Sequence, residues 1–226
     1  IMPTLTQNPT LGDLLKEESS RTYGREPAVL AAGNNLLLGA VLGKIAVDTT
    51  AANVTVTAAA GNTGTGVLTK AGVPVLPGAM PGRYSVVCVT AVSAGGIFSV
   101  IAPDGRSIGN ATVGTAFANE IAFTIADGTP DFVVGDTIYV DVPAGSGKMV
   151  PVATTPVANG SHRFAGVLLT DTNATSADAT CVVLARGPAV VAASRLIWPA
   201  ALDSAVKREA VLAQMRDVGI VARTTA

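Results

Sequence analysis

From Ala28 onward the chain sets short apolar runs between Gly, Asn and Asp, and the length of those runs predicts strands rather than helices. AVLAAG, NLLLGAVLGKIAV and NVTVTA follow one another to residue 58; in the last, Val54 and Val56 alternate with Thr55 and Thr57, the two-residue period of a half-buried strand. A second series, RYSVVCVT, GIFSVIAPDG, EIAFTIADG and DTIYVDV, occupies residues 83–142. Its runs end in turn chemistry such as Ser93-Ala94-Gly95-Gly96, Pro103-Asp104-Gly105 and Asp127-Gly128. FAGVLLT, TCVVLA and GPAVVAA predict further strands. Only RLIWPAALDSAVKREAVLAQMRDVG changes period: Asp203 stands where a helix cap is expected after Pro199, Val211, Met215 and Val218 make an apolar stripe, and Gly219 supplies the stop.

Two Gly-rich breaks, GNTGTG at residues 61–66 and AGSGK at 144–148, bracket the second series. Regular short strands at this spacing predict an immunoglobulin-like antiparallel β-sandwich inserted over residues 61–145. That segment carries three basic and six acidic residues, against twelve basic and ten acidic in the rest of the chain, so the sign of the charge changes at both breaks. Residues 28–60 and 146–226 then form a small β-rich core with one C-terminal helix, and the fold class is mainly β. Residues 1–27 are polar and punctuated by Pro3, Pro9 and Pro27. With little apolar surface to offset the entropy of ordering, they predict an extended arm, holding at most a turn of helix in LGDLLKEES, that orders only against a partner.

Composition sharpens this picture. The 226 residues are 49% hydrophobic but only 14% charged and 4% aromatic, which predicts that part of the apolar surface is hidden in an assembly. A net charge of −1 offers no footprint for a phosphate backbone, so nucleic acid is not an expected partner. Neither the start, IMPTLTQNPTLGDLL, nor the broken run LAAGNNLLLGAVLG reads as a secretory signal or a membrane span.

Candidate chemistry is sparse. AGSGK ends in the Gly-Lys of a phosphate-binding loop, but Val142 stands where that loop opens on Gly, and Met149 where it needs a hydroxyl. The prolines in the following MVPVATTPVANG exclude the helix such a loop requires, so AGSGK reads as a flexible connector. Cys88 and Cys181 lie far apart in apolar runs without metal spacing and read as buried, reduced thiols. His162 is the single histidine and reads as a solvated turn residue. DTNATSAD at 171–178 has Asp171, Asn173 and Thr175 at the alternate positions of a calcium loop, but Ser176 and Val182 replace its Gly and its bidentate Glu; it reads as a hairpin connection. Asp127, Asp131 and Asp136 stand in turn contexts, where Asp bonds its own backbone. No enzyme and no cofactor is expected, and Trp198 reads as a core or interface anchor.

Four blocks carry a resemblance: MPTLTQNPTLGDLL, AVLAAGNNLLLGAVLGK, FAGVLLTDTNATSADATCVVLARGPAVV and LIWPAALDSAVKREAVLAQMRDVGIVAR. In that order, with GxVLGK at residues 39–44, AGVLL at 165–169 and a WPA-helix-GI ending, they resemble the lambda-type head decoration proteins of tailed bacteriophages and prophages. The resemblance covers residues 2–60 and 146–223. It implies a homotrimer on the outer surface of the virion, at the threefold and quasi-threefold points of the expanded capsid, clamping the major capsid protein against the pressure of packaged DNA. It also implies an arm that contacts the capsid, for which Pro3, Thr4, Leu5, Thr6, Leu11 and Leu14 are the candidates, and a trimer or core anchor at Leu196, Trp198 and Pro199. The smallest members have only a short connection in place of residues 61–145. The alternative reading gives this insert a function of its own, as a module recognising a glycan or a host surface.

Overall fold

The computed structural model describes residues 9–224. They form two compact units: one comprises the described residues through Lys44, Gly147–Thr155 and those from Ser161 on; the other is Ile45–Ser146 with Pro156–Gly160. Unit 1 begins with α1 (Leu11–Leu14), β1 (Leu15–Glu18), α2 (Arg21–Gly24), β2 (Arg25–Leu30), β3 (Asn34–Leu36) and β4 (Val41–Lys44). Unit 2 follows with β5 (Thr55–Ala58), β6 (Val67–Val75), β7 (Gly82–Val92), β8 (Gly95–Ile101), β9 (Ser107–Thr112), β10 (Ala116–Ala118), β11 (Ile121–Ala126) and β12 (Thr137–Val142). The chain returns to unit 1 as β13 (Met149–Pro151), β14 (Phe164–Leu168), β15 (Thr172–Ala174), β16 (Ala179–Leu184), β17 (Ala189–Ala192), α3 (Ala205–Asp217) and β18 (Ile220–Arg223).

A closed barrel in the order β13-β2-β16-β14-β4 is the centre of unit 1. Strands β14 and β16 read as continuous apolar runs because both of their faces are covered, whereas β2, REPAVL, leaves Val29 exposed. Leu30, Leu42, Met149, Leu168 and Val183 fill the inside. The alternating neighbours Val41, Val167 and Leu184 face a second layer built from Leu14, Val191, Leu196, Val211, Met215 and Ile220. That layer consists of the sheet β1-β17-β18 and the helix α3. The helix lies over the expected residues, with Val211 and Met215 buried and Gly219 in the left-handed region at φ +79°. Its cap, however, is Ser204, whose Oγ accepts from Lys207 N, while the exposed Asp203 carboxylate accepts from the Lys207 ammonium at 2.9 Å. Val218, expected in the stripe, lies past the last turn and is exposed.

Residues 10–27 are folded, where the sequence pattern predicts an extended arm. Thr10 N and Oγ1 both donate to Asp13 Oδ2, at 2.8 and 2.9 Å, which caps the first turn. The turn drops Leu14 into the core with no exposed surface. Strand β1 then pairs with β17, and Ser20 caps α2 through Tyr23 N. Pro27 sits in β2 opposite Val182.

Unit 2 is a pair of antiparallel sheets, β5-β12-β7-β8-β9 and β10-β11-β6, closed over one core that includes Tyr84, Val86, Phe98, Val100, Ile125 and Val140. An immunoglobulin sandwich keeps its last strand in the sheet opposite its first; here the last strand, β12, pairs with the first, β5. Val47 and Val54 belong to this core, so the unit starts at Ile45 and the expected boundary at residue 61 falls inside it. GNTGTG is the turn that carries the chain from β5 in one sheet to β6 in the other.

Candidate functional site

Of the candidate capsid contacts, Pro3, Thr4, Leu5 and Thr6 lie outside the described residues. Leu11 is half-buried against the outer core layer of unit 1 and Leu14 is inside it, so neither is a free arm residue. What the N-terminal segment does present is β1, paired with β17 on one side and, among the described residues, with no strand on the other. A shallow cavity of about 300 Å³ adjoins it, lined by Leu11, Leu15, Lys16, Glu17, Arg21 and Arg25 among others. Glu18 is fixed there by the Arg25 guanidinium, which donates to both carboxylate oxygens, with Arg21 at 3.3 Å. The hydrogen bonds from Arg25 hold the Glu18 carboxyl below its usual range. Local sequence supports this arrangement: Thr10 and Ser20 are caps three residues ahead of Asp13 and Tyr23, a signal present in TLGD and SRTY.

Leu196, Trp198 and Pro199 lie in one clipped segment. Ile197 N donates to Gly39 O at 2.9 Å, and Val41 N donates to Ile197 O at 3.0 Å, which ties the segment to GxVLGK. The motif's two glycines are explained by this packing. Gly39 has φ +94° and a Cβ there would overlap the Arg195 carbonyl; a Cβ on Gly43 would overlap the Ser161 carbonyl. Leu196 is buried in the core, while Trp198 is half-buried beneath the Arg208 guanidinium, 5.9 Å from the ring centre. Pro199 is half-buried and its carbonyl accepts from Leu202 N. The exposed apolar residues of this region are Ile197 and Leu37, which the sequence pattern had not singled out.

Three carboxylates with ligating potential, Asp136, Asp171 and Asp178, accept from backbone amides, whereas Asp127 Oδ1 is buried without a hydrogen-bond partner among the described residues. Asp136 accepts from Thr63 N, Gly64 N and Val133 N at 2.9, 2.8 and 3.0 Å, which is what shapes GNTGTG. Burial pushes this carboxyl up, but the three amides outweigh it and hold it below the usual range. Asp171 Oδ1 accepts from Leu38 N, and Asp178 accepts from Ala32 N while pairing with Lys148, the lysine of AGSGK. That loop leads into strand β13. DTNATSAD connects the antiparallel partners β14 and β16 and adds the short strand β15 against β3. His162 is a half-buried turn residue, and Asp127 and Asp131 flank the β11–β12 loop. Cys88 and Cys181 are free and buried in different units, with both thiols pushed up by burial. Among the described residues no three His, Cys, Asp or Glu side chains come close enough to hold a metal ion, and no helix is long and apolar enough to cross a membrane.

Comparison with known proteins gives the chain a family. The family model described as bacteriophage lambda head decoration protein D matches residues 4–220. No curated protein matches the chain. Two solved structures of Xanthomonas campestris FlgL, in space groups H3 and C2, are each 19% identical over 47% and 49% of this chain, at a TM-score of 0.30. This chain spans 33% of their length, and a likeness so slight carries no argument.

Proposed function

The chain belongs to the bacteriophage lambda head decoration protein family, and on that premise we propose that it coats the outside of an expanded phage head as trimers at threefold and quasi-threefold sites. There it holds neighbouring copies of the major capsid protein together against the pressure of packaged DNA. One observation carries this reading: the family match runs from residue 4 to residue 220, through both units. In the mechanism we favour, residues 2–8, with Pro3, Thr4, Leu5 and Thr6, are the capsid-contacting lead, and the capped turn at Thr10 fixes where it leaves unit 1. Three such leads on one trimer act by multivalency, so modest single contacts add to firm attachment. Electron cryomicroscopy of undecorated expanded heads mixed with the chain tests this. Threefold-symmetric density over the threefold sites is expected; density elsewhere, or none, contradicts it.

A second reading has one observation in its favour. The outer face of the five-stranded sheet sets Thr57, Tyr139 and Ser85 side by side in cross-strand register, followed by the aliphatic Ile101 and then Ser107. Arg83 stacks 4.6 Å from the Tyr139 ring centre and is neutralised by Asp141. Such a face suits a neutral glycan. Silence of the full-length chain on a glycan array would remove this reading.

A further inference from the structure

Exposed aliphatic side chains gather at one end of unit 2: Val89, Val92, Ile97, Val133 and Val134, of which Val92 is 53% and Val134 65% exposed. Backbone hydrogen bonds place them together. Gly135 N donates to Cys88 O at 2.9 Å and Cys88 N to Asp136 O at 2.8 Å, which seats the β11–β12 loop beside the start of the β7–β8 hairpin tip. Ile97 pairs with Thr90, and Val92 pairs with Gly95 where the hairpin turns. This end lies at the far end of β7 from Gly82, which pairs with Val142 near the unit's last residues. At about 3.3 Å per residue, that is roughly 30 Å along the strand.

Two features say what fits there. The first is charge. No charged residue occurs between Tyr84 and Pro103, the Asp136 carboxylate is turned inward on its three amides, and the other charges of the β11–β12 loop are the half-buried Asp127 and Asp131 at its root. An anionic partner would meet no Lys or Arg to pair with, whereas an identical apolar surface meets the tip without repulsion. The second is a strand edge. Strand β12 covers β7 only as far as Val87, so among the described residues Thr90, Ala91 and Val92 have no strand on that side. The edge lacks the Lys, Pro or inward charge that usually guards one. An antiparallel edge also pairs with its own copy through a twofold axis; with Ala91 on that axis, Thr90 of each copy faces Val92 of the other.

We propose that the β7–β8 tip is a twofold contact between two copies of this chain, edge to edge along Thr90–Val92 and sealed by Val89, Val92 and Val134. It does not rest on capsid binding and is read in solution. Sedimentation velocity of the full chain over a concentration series tests it, with Val92→Asp, Val134→Asp and Val92→Lys as variants at exposed positions and thermal melts to confirm that each is folded. The wild-type chain should reach at least twice the mass of V92D or V134D at the same concentration, and both variants should associate at least tenfold more weakly. An equimolar mixture of V92D and V92K should recover the doubled species. Equal masses for wild type and folded variants would overturn the proposal. So would a wild type that never doubles yet pellets with phosphatidylcholine vesicles, which would make the tip a lipid contact.

Discussion

Asp136 shows how much of unit 2 hangs on one carboxylate. Its oxygens accept two backbone amides of GNTGTG, where the chain turns between the sheets, and a third, Val133 N, from the β11–β12 loop. Asp136→Asn keeps the shape but loses the charge and one acceptor, and should cost about 2 kcal/mol of stability at pH 7, measured by urea unfolding. Because the folded-state pKa is depressed, this contribution is complete above the ordinary carboxylate value near 4 and is lost as pH falls through the lower folded value. The gap between wild type and variant should therefore shrink below about pH 4; a constant gap down to pH 3 would mean the amides do not act on the charged form. Gly43 makes an equally sharp case. Gly43→Ala drives a methyl into the Ser161 carbonyl and should destabilise unit 1 by about 3 kcal/mol, while Gly72→Ala, with open space around it, should shift stability by no more than about 0.5 kcal/mol. Equal effects from the two glycines would sink this account of the GxVLGK motif.

At the scale of elements, the N-terminal segment divides at Thr10. Deleting residues 2–8 should leave the melting temperature within about 2 °C of wild type. Deleting through Glu18 removes Leu14 from the core and β1 from its sheet, and should abolish the cooperative transition of unit 1. A well-folded product of the longer deletion would restore the whole of residues 1–27 as a free arm. The strands and α3 were legible because their periods are set by burial: FAGVLLT and TCVVLA are apolar on both faces because one face fills the barrel and the other meets a second layer. The fold of residues 10–27 was not, since its few apolar residues pair with β17 and β16, more than 150 positions away, and composition does not report such partners. The boundary at residue 61 misled for a related reason: a Gly-rich stretch marks a sharp turn equally well within a unit and between units, and only the burial of Val47 and Val54 tells the two apart. Likewise Asp203 and Ser204 are adjacent residues that both suit a cap, and their local sequence does not tell that Ser204 takes it.

For the molecule as a whole, composition and structure agree on one point: 14% charge and 49% hydrophobic content leave apolar surface beyond what the two cores enclose, at Leu37 and Ile197 in unit 1 and at the β7–β8 tip in unit 2. The candidate capsid contacts were the least legible part, because a docking face is defined by a partner whose shape is not written in this chain. The most direct measurement is co-sedimentation of the purified chain with expanded heads that lack a decoration protein, followed by heating of the pelleted shells. The account predicts saturable binding at three copies per threefold site and a raised rupture temperature, both lost on deletion of residues 2–8. No co-sedimentation at any ionic strength, or full occupancy with an unchanged rupture temperature, would contradict it.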